Sequence, residues 1–246
     1  MQLDRILQSQ GFGSRKECRA LVRDGLVKIA GQVMTDPFVE LDTSGLVFEI
    51  DDWEWEYAEQ VYIALYKPAG YECSHKPKHN ASVYTLLPPP LVTRDVQSVG
   101  RLDVDTTGLL LFSDDGQFIH AMSSPRRHVT KSYRITTPQP FEASLIDKLT
   151  EGVQLLDEPE PARALAARQT GEQELELLVD QGKYHLVKRM VAAAGSHVEK
   201  LHRFAVGELS LESGVLPELE EEDWCYLRPQ HLALLGFVDK SDRAGA

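Results

Sequence analysis

The sequence predicts an α+β fold, with a small N-terminal module ahead of a larger domain built on a mixed, largely antiparallel sheet. Three observations carry this expectation. The 246 residues suit one domain of moderate size plus a small one. Short apolar strands and short helices alternate without the βαβ rhythm of a parallel sheet. Charge is also segregated: residues 1–35 hold six basic and three acidic side chains, whereas residues 36–60 hold nine acidic and no basic ones. That break, with the acidic stretch "DDWEWEYAEQ" behind it, places a boundary near 58–60. The expected organisation is 1–58, 59–238 and a frayed tail, "DKSDRAGA", over 239–246.

The elements follow in order. In "GSRKECRALVRDG", Ser14 and Glu17 have capping-box spacing at a helix start. Cys18, Leu21 and Val22 form an apolar stripe, while Arg15, Arg19 and Arg23 recur every fourth residue on another face, and Gly25 stops the helix. "GLVKIAGQVMTD" then reads as a short strand with a glycine turn. The larger part opens with "VYIALYKPAGYECS", a β-rich run from Val61 to Tyr66 that Pro68 and Gly70 turn. "GLLLF" is a buried strand, and "KSYRITT" alternates, with Tyr133 and Ile135 on one face and Ser132 and Arg134 on the other. "GQFIHAMSSP" and "LVKRMVAAAG" read as short helices ended by Pro125 and Gly195. On the second, Val187, Met190, Val191 and Ala194 share the packing face and Lys188 sits at its margin.

The formal net charge of −12 at first argues against a polyanionic partner, because phosphate contacts need Lys and Arg. Local charge decides otherwise. "PRRHVTKSYR" holds four cations and no carboxylate, and "QGKYHLVKRMVAAAGSHVEKLHR" holds five against Glu199. Cys18, Cys73 and Cys225 are far apart and lack CxxC spacing, so reduced thiols are expected rather than a disulfide framework or a zinc site. No run of about 18 apolar residues is present to cross a membrane, and "MQLDRILQSQ" lacks the apolar core of a signal peptide. A cytoplasmic protein is expected.

The polar segment "GRLDVDTTGLLLFSDDG", residues 100–116, runs straight into a buried strand. Asp103 and Asp105 share a face if the chain is extended, and a turn would separate them. Paired carboxylates would serve a glycosidase-type hydrolase. Arg101, on the same parity, could hold one of them ionised, as a nucleophile requires.

Two resemblances extend these readings. "LDRILQSQGFGSRKECRALVRDGLVKIAGQVMTDP" resembles an S4 domain, a small RNA-binding module, although Ile29-Ala30-Gly31 stands where that family has Val-Asn-Gly or Val-Asp-Gly. The segment at 100–116 resembles the signature of the RsuA-type pseudouridine synthases. "YKPAGYECS", "TKSYRI" and "GKYHLVKRMVAAAGSHVEKLHR" match that family's other motifs in its order, with Leu186 in place of the usual glutamine.

The resemblance implies isomerisation of a ribosomal RNA uridine, in which uracil is detached at N1, rotated and rejoined through C5. It implies Asp103 as the catalytic aspartate, Tyr133 as a stacking platform for the target uracil, Lys188 as the partner of Asp103, and Arg101 as a group holding the flipped nucleotide. Addition to the base and elimination at the ribose both stay open as the path at Asp103. The basic helix (Arg15, Lys16, Arg19, Arg23) and the later cations Arg126, Arg127, Lys131, Lys183 and Arg189 are the expected RNA contacts. The partner implied is 16S rRNA, naked or in an assembling ribosomal particle, with no cofactor, no metal and no membrane, and the chain acting as a monomer. Alternatives that stay open are 23S rRNA as substrate and, in a different class, a noncatalytic S4-type RNA-binding protein.

Overall fold

The computed structural model describes residues 1–156 and 158–238, so the sequence reading of a tail over 239–246 lies outside the described residues. The chain forms two compact units. The first comprises Met1–Val61 together with Leu87–Val96, and the second Tyr62–Leu86 with Gln97 onward.

The first unit contains α1 (Leu3–Ser9), α2 (Arg15–Arg23), β1 (Val27–Ile29), β2 (Gln32–Met34), β3 (Val47–Ile50), β4 (Trp53–Glu56) and α3 (Pro89–Thr93). Its strands pair antiparallel in the order β2-β1-β3-β4. The capping box that opens α2 is formed: the Ser14 N–H donates to Glu17 Oε2 at 2.7 Å, and the Glu17 N–H donates to Ser14 Oγ at 3.4 Å. Cys18 and Val22 face Leu3, Leu7, Val27, Phe48 and Ile50 in the core. Ala30 (φ 48°) and Gly31 (φ 74°) both occupy the left-handed region at the β1–β2 turn, which matches the right-handed twist of a two-residue hairpin. Leu87–Val96 is tied in by Arg94, whose Nη1 donates to Gln10 Oε1 at 2.7 Å and to the Ala58 carbonyl at 3.0 Å.

The second unit contains β5 (Tyr62–Lys67), β6 (Tyr71–Glu72), β7 (Ala81–Ser82), β8 (Gln97–Ser98), β9 (Thr106–Ser113), α4 (Gly116–Ser123), β10 (Lys131–Thr136), α5 (Ser144–Glu151), β11 (Ala166–Gln169), β12 (Glu174–Val179), α6 (Leu186–Ala194), β13 (Lys200–Val206), β14 (Leu209–Ser210), β15 (Trp224–Tyr226) and α7 (Pro229–Leu234). Nine strands form one mixed sheet: seven follow the order β11-β12-β10-β13-β9-β5-β15, while β14 pairs with β13 and β8 with β9. Among the described residues, its one parallel pairing joins β9 to β13, Thr106 opposite Leu201 and Gly108 opposite Arg203. That seam is tight. A Cβ on Gly108 would lie 2.2 Å from the Arg203 carbonyl oxygen, and its φ of +110° suits glycine alone.

Two apolar clusters cover the sheet. One packs α5 and α6 on β10, β12 and β13 through Leu145, Leu149, Leu177, Val187, Met190 and Leu201. The other packs α4 and α7 on β5 and β9 through Ala64, Leu109, Leu111, Phe118, Met122 and Leu232. Each large aliphatic side chain so buried contributes about 1.5–3 kcal/mol. Leu186 joins the first cluster at the start of α6. Among the described residues, no helix is long and apolar enough to cross a membrane.

Candidate active site

A cleft of about 860 Å³ in the second unit is walled by residues from both clusters, Met122 from one and Leu186, Val187 and Leu201 from the other. Its polar lining includes Arg101, Asp103, Lys131, Tyr133, Lys183, His185 and Lys188. Asp103 therefore lies three residues before β9, at the mouth of the buried strand.

The loop that carries Asp103 is held from beneath by a buried lysine. Lys67, the last residue of β5, has no exposed surface. Its Nζ donates to the carbonyl oxygens of Pro68 (2.9 Å), Asp103 (3.2 Å), Val104 (3.3 Å) and Thr106 (2.8 Å). Burial pushes the Lys67 pKa down, against the attraction of Asp105 and Asp103. The Thr106 N–H donates to the Asp103 carbonyl at 3.1 Å, closing a turn, and the Gly70 N–H donates to the Val104 carbonyl at 2.7 Å. The polar knot is thus a main-chain turn around one cation.

Lys188 projects from the third residue of α6 onto this turn. Its Nζ is 3.2 Å from Asp103 Oδ2 and 2.6 Å from Asp105 Oδ1. Burial disfavours the ammonium, but the hydrogen bonds and charges of the two aspartates outweigh it and raise the Lys188 pKa. Burial likewise works to raise the Asp105 pKa, and Lys188 outweighs it in the opposite direction, so that carboxyl stays below its ordinary value. The other oxygen of Asp103, Oδ1, faces His185 Nε2 at 3.2 Å. His185 precedes α6 with φ 47°, and its ring stacks on Tyr184 at 3.8 Å between centroids.

Tyr133 stands in the middle of the sheet, paired with Leu177 on one side and Arg203 on the other, with a register shift between Ser132 and Tyr133. Its half-buried ring packs on the α5–α6 cluster and lines the cleft. Beside it, the buried Arg203 donates Nε and Nη2 to the Leu109 carbonyl at 2.9 and 2.7 Å. Lys131 lines the same wall and donates to the Val129 carbonyl at 2.6 Å; burial and then the charge of Arg203 lower its pKa.

The other cations singled out in the sequence fall in several places. Arg101 is exposed on the cleft wall. Lys183 also lines the cleft, with its Nζ 2.8 Å from Glu158 Oε2. Arg189 lies outside the cleft lining, donating to the Leu156 carbonyl at 2.6 Å and pairing with Glu158 at 3.5 Å. Arg126 and Arg127 are exposed on a 3₁₀ turn after α4. Arg134, from the same basic segment, points to the opposite face and bridges Glu212 and Glu176. In the first unit, Lys16 and Arg23 are exposed. Arg19 and Arg15 instead approach the fully buried Asp4, at 2.8 and 3.5 Å. Burial would raise the Asp4 pKa, but the Arg19 hydrogen bond and the two guanidinium charges outweigh it and lower it.

Sequence reasoning missed Lys67 and His185 as parts of this site. Lys67 stands at the end of a strand before proline, and His185 lies in the basic segment 181–203, where a histidine reads as structural or RNA-facing. Among the described residues, no group of three or more His, Cys, Asp or Glu side chains could hold a metal ion.

Comparison with known proteins places these observations in context. Residues 61–193 match the family model described as RNA pseudouridylate synthase, and residues 1–44 match that of the S4 domain. The chain is 36% identical over 235 residues to the ribosomal small subunit pseudouridine synthase A of Vibrio parahaemolyticus, covering 94% of this chain and 98% of that protein. It is 33% identical over 219 residues to the protein of the same name from Escherichia coli K12, covering 88% and 94%. A crystal structure of a pseudouridylate synthase superimposes with a TM-score of 0.66 at 31% identity, covering 96% of this chain and 99% of that one.

Proposed function

Because the chain belongs to the RNA pseudouridylate synthase family, we propose that it converts a uridine of small-subunit ribosomal RNA to pseudouridine, with Asp103 as the catalytic carboxylate. The observation that carries this reading is the placement of Asp103 in a cleft with an aromatic ring, Tyr133, and a cation, Lys188, 3.2 Å from its Oδ2. The choice of ribosomal subunit rests on the names of the relatives.

The reaction breaks the N1–C1′ bond and forms C5–C1′. The C5 proton leaves and N1 gains one, so the product is an isomer and no redox partner is needed. A uridine in folded RNA must first leave its stack, at a cost of a few kcal/mol. Stacking of the extruded base on the Tyr133 ring returns about 1–3 kcal/mol. Arg101, exposed on the cleft wall, supplies a cation for the phosphate beside the extruded nucleotide. Asp103 acts on the reacting nucleotide, and either open path, addition to the base or elimination at the ribose, uses a carboxylate oxygen. Lys188 stabilises that charge and, by binding Asp105 as well, fixes the turn on which Asp103 sits. Lys131, Lys183, Arg126, Arg127 and Arg189 serve the flanking RNA strand, and Lys16 and Arg23 the RNA bound by the S4 domain, whereas Arg15 and Arg19 are engaged by the buried Asp4. The reading includes action as a monomer, in the cytoplasm where ribosomal RNA is made.

The test is to incubate the protein with unmodified 16S and 23S rRNA transcripts, and with a partly assembled small-subunit particle, and to map pseudouridine beside the Asp103→Asn variant. A single modified uridine in 16S rRNA or its particle, lost in the variant, is the expected result. Modification confined to 23S rRNA would overturn the choice of subunit, and an equally active variant would overturn the role of Asp103.

A further inference from the structure

We propose that His185 is a positioning residue for Asp103: its imidazole faces Oδ1 through Nε2 and serves as a donor to that oxygen when RNA is bound, so that, with Lys188 facing Oδ2, the carboxylate keeps one orientation toward the cleft. This rests on the reading of Asp103 as the catalytic group. The two partners lie three residues apart at the start of α6, His185 at 3.2 Å and Lys188 at 3.2 Å, facing opposite oxygens of one carboxylate. A carboxylate held at one oxygen can still swing about its χ2 torsion, which is broad for aspartate. Partners facing both oxygens narrow that swing. Lys188 alone does not provide this, since its shorter contact, 2.6 Å, goes to Asp105.

Two further observations show that the imidazole is itself held in place. His185 is a non-glycine residue in the left-handed region, φ 47° and ψ 31°, where L side chains are uncommon and backbone strain is carried. From that position immediately before α6 its Nε2 lies 3.2 Å from Asp103 Oδ1. Its ring also lies nearly parallel to Tyr184, 19° between planes and 3.8 Å between centroids, although Tyr184 is 77% exposed. Tyr184 thus covers the ring from the solvent side. The residue has two separable properties, a flat ring for the stack and an N–H for the carboxylate.

The two properties can be tested apart by single-turnover kinetics on 16S rRNA transcript labelled with tritium at uridine C5, whose release reports isomerisation. His185→Gln keeps a donor and loses the ring; His185→Phe keeps the ring and loses the donor. A hydrogen bond to a charged group predicts that the phenylalanine variant loses about 10- to 100-fold in the rate at saturating RNA, with RNA affinity within about twofold of wild type. The glutamine variant should recover most of that loss. Equal rates for both variants, a better phenylalanine variant, or a loss confined to RNA affinity would each overturn the proposal. If His185→Phe does not fold, as read by circular dichroism, His185→Leu takes its place against His185→Gln with the same expected order. Asp103→Asn run in parallel separates the two readings: inactive Asp103→Asn with wild-type His185→Phe rejects only the positioning role, whereas active Asp103→Asn rejects the catalytic assignment itself.

Discussion

Lys67 Nζ donates to the main-chain oxygen of Asp103 at 3.2 Å, from a side chain with no exposed surface and 36 residues earlier in the chain. The candidate catalytic residue is therefore located through its backbone before its carboxylate meets any partner. Removing the ammonium would leave the carbonyls of Pro68, Asp103, Val104 and Thr106 without that donor. Lys67→Met should cost about 3 kcal/mol or more in stability, since each buried acceptor left unpaired costs about 1–3 kcal/mol. Urea unfolding measures the first effect. Pseudouridine formation by the fraction still folded should drop by at least tenfold, because a misplaced carboxylate loses its near-attack geometry.

Glu72 organises another wall of the cleft. Its carboxylate accepts the N–H groups of Lys78, His79 and Asn80, each at 3.0 Å, and those bonds pull its pKa down to about 2 from an ordinary 4.5. A carboxyl with a lowered folded-state pKa lends its stabilisation in full above about 4.5 and loses it as pH falls toward 2. Glu72→Gln at neutral pH should reproduce the acid state. Faster amide hydrogen exchange at residues 78–80, with unchanged exchange in β9, is the expected outcome. Protection that stays the same in the variant would mean that the loop holds its shape by other means.

The β1–β2 hairpin turn carries Ala30 at φ 48°, where a side chain without local hydrogen-bonding capacity is disfavoured by about 1 kcal/mol. Its side chain is exposed, so nothing is lost by changing it. Ala30→Asn should stabilise the N-terminal unit by about 0.5–1 kcal/mol, because asparagine tolerates that region. A higher midpoint for the thermal transition of that unit is the measurement. An unchanged or lower midpoint would contradict the strain argument.

The arginines of α2 divide by what lies beneath them. Arg19 neutralises the buried Asp4 at 2.8 Å and its guanidinium lies 5.0 Å from the centre of the Phe38 ring, whereas Lys16 and Arg23 are exposed. Arg19→Ala should destabilise the unit by roughly 2–3 kcal/mol, the effect of weakening the pairing of a buried charge. Lys16→Ala and Arg23→Ala should each change stability by less than about 0.5 kcal/mol. Each should instead lower the slope of log affinity against log salt for RNA by about 1. The converse pattern, a stable Arg19→Ala and an unchanged salt slope for Lys16→Ala and Arg23→Ala, would reverse the assignment.

What could be read in the sequence follows the range of the interactions. The α2 box of Ser14 and Glu17 spans three residues, and the apolar face of α6 repeats within nine, so local spacing revealed both. The alternation of Tyr133 and Ile135 against Ser132 and Arg134 likewise put the right pair toward the cluster under α5 and α6. Three features depend on distant partners and left no local trace. Lys67 needs carbonyls 37 and 39 residues away, His185 needs Asp103, and the stripe of arginines on α2 could not show that Asp4 lies under two of them. The same holds for Leu87–Val96, which joins the first unit through Arg94 while its flanking residues belong to the second. The role proposed for Asp103 could be read only from the resemblance of its whole motif, since two aspartates two residues apart would suit several reactions.

The parallel seam between β9 and β13 has a consequence for biosynthesis. Thr107 and His202 meet across it at 2.9 Å although 95 residues separate them, so the cleft floor cannot close until most of the chain has left the ribosome that makes it. Pairing over so long a loop is entropically costly and slow. The N-terminal RNA-binding unit, by contrast, lacks only the short segment ending at Val96 once residue 61 has been made. The order of synthesis therefore completes the S4-type unit before the strands that form the cleft floor can meet.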